Sequence, residues 1–246
     1  MDRRRKMKTD QMANGDAMAK FVHTKLYDFI TALPLIAWYI FGLVRQAPLT
    51  WQRLNALVHG SIELLEFLQL IALLSSFVLI FLLVYLLFAR RVPERKAKGA
   101  LPRAVALCGT FLGNGFLYLK PVQLALPAQI LADFLIIAGA FGSLAAVSHL
   151  GTSFSVMPEA RKLVTSGPYA LVRHPLYLAE LVGVSGLVVE FQQPFAVLLG
   201  GAVFAAQYWR TVFEERILLA AYPEYVAYRT RTGRFIPYVF CRYQHS

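Results

Sequence analysis

The sequence predicts an all-α, polytopic integral membrane protein of about six transmembrane helices, with a C-terminal helical hairpin and an interfacial tail. Three observations predict it. Hydrophobic residues make up 57% of the 246-residue chain and charged residues 16%, against about 45–50% and about 25% in soluble domains. The apolar excess lies in long blocks, and residues 67–89 carry no charge at all; about 20 such residues at 1.5 Å rise cross a bilayer. Lysines and arginines cluster between alternate blocks, as they do on one side of a membrane.

The elements follow in order. Residues 1–25 form a basic segment with Arg3, Arg4, Arg5, Lys6 and Lys8. The first apolar run begins only near Leu26 and no A-x-A-like site follows it, so it reads as an uncleaved first span. That span covers about 26–44 and contains Pro34, which a membrane helix tolerates as a kink. The second is Leu64–Ala89. The third, about 104–119, is short. Pro121 and Pro127 mark a turn and a new start, and the fourth span runs to about His149. The fifth is about 176–189. Gln192, Gln193 and Pro194 make a tight reversal into the sixth, about 195–213. Residues 26–150 and 151–246 are expected to form one structural domain, because neither holds a soluble unit long enough to fold alone. Gly109, Gly113, Gly139, Gly142, Gly183 and Gly186 read as sites of close helix packing. Asn114 is a candidate for a hydrogen bond between helices.

The charge pattern tests this topology. With the N-terminus in the cytoplasm, 22 of the 25 Lys and Arg residues fall inside, leaving only Arg45, Arg53 and Lys120 outside. Both termini are then cytoplasmic, in a bacterial inner membrane or its equivalent. The net charge of +11 is accounted for by basic residues meeting anionic headgroups, so nucleic-acid binding is not needed. The two cysteines, Cys108 and Cys241, form neither a disulfide framework nor a metal-ligand spacing, and no metal site is expected.

Two cytoplasmic segments differ from the rest. KLVTSGPYALVRHPLY, residues 162–177, places a Gly-Pro turn, two tyrosines and Arg-His-Pro between spans. Pro168 and Pro175 disfavour helix in the residue before each, and Pro175 suits a first helical turn. His174 therefore sits at a helix N-terminus, where free backbone N–H groups favour an anion; a structural loop with a capping histidine is the competing reading. The second segment, residues 208–237, brings Arg210, Glu214 and Glu215 to the inner end of the last span. Arg210 and Glu214 are four residues apart and share a face, which fits an ordinary ion pair or a functional site. Residues 217–228 followed by Arg229, Arg231 and Arg234 read as an interfacial helix and tail.

Together LVTSGPYALVRHPLY and EERILLAAYPEYVAYRTRTGRFIP resemble the isoprenylcysteine carboxyl methyltransferase family and the related membrane phospholipid methyltransferases. Those proteins show a G-x-Y-x-x-x-R-H-P-x-Y loop, a two-helix hairpin and an E-E pair before an acidic, tyrosine-containing stretch. The resemblance covers about residues 150–240. Tyr222-Pro223-Glu224-Tyr225 is one residue shorter than the usual stretch, which puts the packing of the tail in question. The resemblance implies S-adenosylmethionine as cofactor. It implies that Lys162, Leu163, Val164 and Tyr169 wall the adenosine, and that His174, Pro175, Leu176 and Tyr177 contact the amino-acid end and ribose. Glu214 would bind the cofactor's ammonium and Arg210 the acceptor's carboxylate.

The residue types suit the chemistry. A sulfonium methyl is already activated, so alignment and water exclusion dominate, and positioning contributes roughly 7–11 kcal/mol. A carboxylate is ionised at neutral pH and needs no base, and an arginine fork suits it better than a lysine would. Carboxyl O-methylation of a lipophilic small-molecule or prenylated acceptor, drawn from membrane lipids, is the expected reaction. Lipid N-methylation is the alternative; a sterol-type membrane reductase and a transporter are weaker ones, the last because no inverted repeat is visible.

Overall fold

The structure is a computed structural model describing residues 25–120, 122–191 and 194–237. The basic segment 1–24, Pro121, the Gln192–Gln193 reversal and Cys241 lie outside the described residues.

Helix α1 (Lys25–Val58) runs for 34 residues with Pro34 and Pro48 inside it. The expected end at residue 44, with Arg45 and Arg53 in an outer loop, is thus corrected: both arginines lie within the helix. Partner α2 (Leu64–Ala89) explains it. Arg53 pairs with Glu66 and donates from Nη2 to Gln69 Oε1 at 3.0 Å, so its charge is neutralised across the helix pair and does not require a loop. The backbone N–H of Glu63 donates to Glu66 at 3.3 Å, closing a capping box at the start of α2.

Strand β1 (Arg95–Lys96) pairs antiparallel with β2 (Glu159–Ala160). This small sheet departs from the all-α expectation within an otherwise mostly helical protein. It clamps the loop after α2 to the loop before the Gly-Pro turn, with Glu94 N–H donating to Ala160 O at 2.8 Å and Ala97 N–H to Pro158 O at 3.1 Å.

Helix α3 (Ala100–Phe111) gives way to a 3₁₀ segment, Leu112–Tyr118, so the third expected span is not one continuous α-helix. Helix α4 (Leu126–Leu150) has Pro127 in its first turn. A four-residue turn of helix, α5 (Pro168–Leu171), precedes α6 (Pro175–Phe191). Helices α4 and α6 approach backbone to backbone. A Cβ added at Gly139 would lie 2.5 Å from Gly183 N, and one at Gly186 would lie 2.7 Å from Ala132 O. Of the small-residue positions read from the sequence, Gly139, Gly142, Gly183 and Gly186 are where these two helices touch, whereas a Cβ at Gly113 would meet nothing within 4 Å.

Helix α7 (Pro194–Ala221) is 28 residues long and runs past the expected end at 213, carrying Glu214 and Glu215 with it. The expected interfacial helix 217–228 is split: its first part continues α7, the chain breaks at Tyr222–Pro223, and α8 (Tyr225–Arg231) follows. Pro223 disfavours helix in the residue before it, which sets the break.

Among the described residues, three segments are long and apolar enough to cross a membrane: Ala32–Val58, Leu64–Ala89 and Leu126–Ser153. Helix α6 has 17 residues, and α7 bears Arg210, Glu214, Glu215 and Arg216 in its C-terminal half. The expected six spans therefore do not appear as six long uncharged helices. The outer surface of α7 is nonetheless apolar, with Phe195 and Leu198 each 69% exposed, as a lipid-facing helix requires.

Candidate functional site

The C-terminal half of α7 carries two carboxylates, and the fold treats them differently. Glu215 is 3% exposed and receives donors from three side chains. Arg173 Nε donates to its Oε1 at 3.0 Å, Arg234 donates from Nε at 3.1 Å and from Nη2 at 2.9 Å, and His174 Nε2 lies 3.2 Å from Oε1. An ionised carboxylate only accepts, so Nε2 carries the hydrogen and Nδ1 is left to face Glu214 Oε2 at 4.0 Å. Burial by itself would raise the Glu215 pKa. The hydrogen bonds from His174 and Arg234 and the charge of Arg173 outweigh that and hold it well below the usual carboxylate range.

This hub straps the tail onto the loop. Val172 and Gly233 form a parallel bridge, Arg173 N–H donates to Gly233 O at 2.8 Å, and His174 N–H donates to Arg234 O at 3.2 Å. Tyr228 Oη donates to Tyr169 O at 2.6 Å. Burial pushes the Tyr228 hydroxyl up to about 12, so it remains a donor at neutral pH.

Glu214 points elsewhere. It accepts from Tyr177 Oη at 2.8 Å and lines a small polar cavity of about 40 Å³ together with Lys162, Leu163, Val164, Tyr169 and Tyr228. Five of the nine cofactor positions expected from the sequence, from two chain segments, thus meet around one space. Among the others, His174 is buried and stacks on Tyr177 with ring centroids 5.6 Å apart, and both adjoin Glu214. Pro175 is buried in the first turn of α6. Leu176 faces a different cavity.

That second cavity, of about 410 Å³, lies among α1, α2, α3, α4, α6 and α7. Its wall is largely apolar, with Arg210, Gln207, Glu180 and Asn114 among the exceptions. Arg210 is 7% exposed. It donates from Nη1 to Gln207 Oε1 at 3.1 Å and from Nη2 to Val156 O at 3.3 Å, and its guanidinium lies 4.7 Å from the Tyr177 ring centroid. An ordinary Arg210–Glu214 ion pair is not among these contacts. Gly109 makes room for the arginine: a Cβ there would lie 2.5 Å from Arg210 Cδ. A gap of about 10 Å³, about the size of one water, is lined by Tyr177 and Phe213 among others and shares Arg210 with the apolar cavity and Glu214 with the polar one. A polar compartment and an apolar one therefore meet at one arginine, one tyrosine and one glutamate.

The model of the phospholipid methyltransferase family matches residues 127–225, a stretch that holds the loop, α6 and α7. Over this segment the chain is similar to the phospholipid methyltransferase family. That family takes in the isoprenylcysteine carboxyl methyltransferase-like proteins, so the resemblance read from the two motifs holds. Two curated proteins are similar. The cobalt-zinc-cadmium resistance protein CzcN of Cupriavidus metallidurans is 37% identical over 97 residues, 39% of this chain and 45% of that protein. The nickel-cobalt-cadmium resistance protein NccN of Alcaligenes xylosoxydans xylosoxydans is 34% identical over 80 residues, 32% of this chain and 38% of that protein. The matched stretch is thus less than half the length of each relative. Among the described residues, no group of three or more His, Cys, Asp or Glu is placed to hold a metal ion.

Sequence reasoning missed Glu180, Gln207 and Glu215 as site residues. Glu180 carried a usable signal, being a carboxylate inside an apolar span. Gln207 carried little, since one amide within a helix resembles any packing residue. Glu215 was visible only as half of an E-E pair.

Proposed function

We propose that the protein is an integral membrane methyltransferase that uses S-adenosylmethionine and acts on a lipophilic acceptor. The observation that carries this reading is the meeting of a polar and an apolar cavity at Tyr177, Arg210 and Glu214, within a segment of methyltransferase family.

The donor set around the polar cavity fits the cofactor. Glu214 and Lys162 offer opposite charges to a zwitterionic amino-acid end, and Leu163, Val164 and Tyr169 offer an apolar wall to a nucleobase. When bound, the cofactor supplies a methyl group already activated by its sulfonium. The space of about 40 Å³ is far below the roughly 300 Å³ of a ligand site. Leu163 and Tyr228 also line an adjoining pocket of about 510 Å³, so binding requires these two side chains to part. Glu214 then orients the amino-acid end, Tyr177 fixes Glu214, and the apolar cavity excludes water from the acceptor.

In the topology that accompanies this reading, both termini are cytoplasmic, six segments enter the bilayer of a bacterial inner membrane or its equivalent, and the acceptor arrives sideways from the lipid. Carboxyl O-methylation, with Arg210 as the carboxylate's anchor, is the acceptor chemistry that the family resemblance brings. Methyl transfer to an amine or hydroxyl is favoured by one specific observation, the carboxylate of Glu180 in the cavity wall.

The test is titration of purified protein in detergent with S-adenosylhomocysteine. Saturable binding is expected, and its absence would end this reading. Radiolabelled methyl transferred into a membrane extract then reports the acceptor: a base-labile label marks an ester, a stable one an amine or ether.

A further inference from the structure

The apolar cavity contains a relay with fixed polarity. Gln207 is 2% exposed and its amide is committed on both sides. Its Oε1 accepts from Arg210 Nη1 at 3.1 Å, and its Nε2 donates to Glu180 Oε2 at 2.5 Å and to Gly109 O at 3.3 Å. A guanidinium only donates, so the amide cannot be reversed without turning its NH₂ towards Arg210. Glu180 is therefore held as an acceptor.

The charges set what can enter. Glu180 and Arg210 are the charged residues among those lining the cavity, and Gln207 couples them, so the compartment is neutral overall. Arg210 is engaged by Gln207, by Val156 O and by the Tyr177 ring. A carboxylate entering this space would add an unbalanced negative charge beside Glu180 in an apolar surrounding, which is costly. A head group that donates a hydrogen bond adds no such charge and finds a carboxylate to receive it. Glu180 is three residues from Tyr177 on α6, on the same helix face and roughly 4.5 Å along the axis. It thus stands one turn into the apolar cavity from the gap that joins the two compartments.

We propose that Glu180 selects the acceptor, admitting a lipophilic amine or hydroxyl in place of a carboxylate, and receives the proton that the acceptor loses. This rests on the methyl-transfer reading and assigns its substrate class. The acceptor nitrogen or oxygen uses its lone pair to form the bond to the methyl carbon. The carbon–sulfur bond breaks with its electron pair left on sulfur, giving the neutral thioether product. The acceptor's N–H or O–H proton passes to the Glu180 carboxylate and leaves later to water.

The experiment uses full-length protein in lipid nanodiscs with three twelve-carbon diazirine probes of equal bilayer mole fraction, bearing an amine, a hydroxyl or a carboxylate head. Photolabelling of the cavity residues of α4 and α6 is read residue by residue by tandem mass spectrometry and normalised to the exposed α2 residues Val78, Phe81 and Phe88. The amine and hydroxyl probes are expected to label wild-type cavity peptides at least tenfold more than the carboxylate probe. Glu180→Gln should reduce that ratio at least tenfold, and Glu180→Asp should retain it. A carboxylate probe that labels wild type as well as the others do overturns the proposal, whatever the variants do. So does an unchanged ratio in Glu180→Gln when that variant still binds S-adenosylhomocysteine. Intact cofactor-product binding without head-group preference sinks the acceptor assignment alone, whereas preference without such binding sinks the methyltransferase reading.

Discussion

Glu214 and Glu215 are neighbours in the chain, yet they belong to two different regions of the molecule. Successive helical residues point about 100° apart, so Glu215 turns into the hub beneath the tail and Glu214 into the cavity. Glu215 is ringed by Arg173, His174 and Arg234. Glu214 keeps one phenolic partner and a side chain 30% exposed. A carboxylate whose lone pairs are filled by the protein holds structure together; one with lone pairs to spare is available to a ligand. The same contrast separates Glu215 from Glu180, which shares its amide partner with an open cavity.

The largest expected effect comes from breaking the hub. Glu215→Ala leaves two arginines and a histidine facing an empty site, and removing one partner of a buried ionic cluster costs about 3–5 kcal/mol. Thermal denaturation in detergent should show this directly. Its pH dependence follows from the depressed pKa of Glu215. The stabilisation is fully present above the ordinary carboxylate value of about 4.3 and is lost as pH falls from there through the lower folded value. The gap between wild type and Glu215→Gln should therefore be constant from neutral pH to about 5 and shrink below about 4.3. A gap that persists in acid would mean that packing, not charge, is what Glu215 supplies.

Arg210→Ala should come next, on the cavity side of the comparison. It removes the donor that orients Gln207 and the cation stacked on Tyr177. Turnover should fall about 100-fold, or about 2.7 kcal/mol in the barrier, while S-adenosylhomocysteine affinity stays within about twofold, a margin of about 0.4 kcal/mol. Equal losses in both measurements would place Arg210 with the cofactor instead.

How much of this was legible in the sequence depends on whether the signal was local. Apolar blocks and prolines located α2, α4, α6 and α7, because length, hydropathy and Pro constraints act within a few residues. The G-P-Y and R-H-P loop and the E-E pair marked the candidate site because their spacing is compact. The extension of α1 through Arg45 and Arg53 was not legible, since it depends on Glu66 and Gln69 of the next helix. The β1–β2 clamp was not legible either: each strand is two residues long and has no period to read. The different roles of Glu214 and Glu215 required knowing how α7 is rotated against α6. Glu180 and Gln207 joined the candidate site only when two separate helices closed around a shared cavity.

Two smaller effects refine the contrast between the carboxylates. Glu214→Gln keeps the shape but removes the charge that would meet an ammonium; it should weaken S-adenosylhomocysteine binding about tenfold, or about 1.4 kcal/mol. It should shift stability by less than about 1 kcal/mol, since a partly exposed carboxylate with one partner contributes little to folding. Tyr177→Phe is subtler. The ring stays beneath Arg210 at its cation–π distance of 4.7 Å, and only the 2.8 Å hydrogen bond to Glu214 is lost. If that bond holds Glu214 in the orientation a ligand needs, affinity for S-adenosylhomocysteine should fall about threefold, under 1 kcal/mol. If the phenol instead competes with the ligand for the same oxygen, affinity rises, and Glu214 would then resemble Glu215 more closely than its exposure suggests.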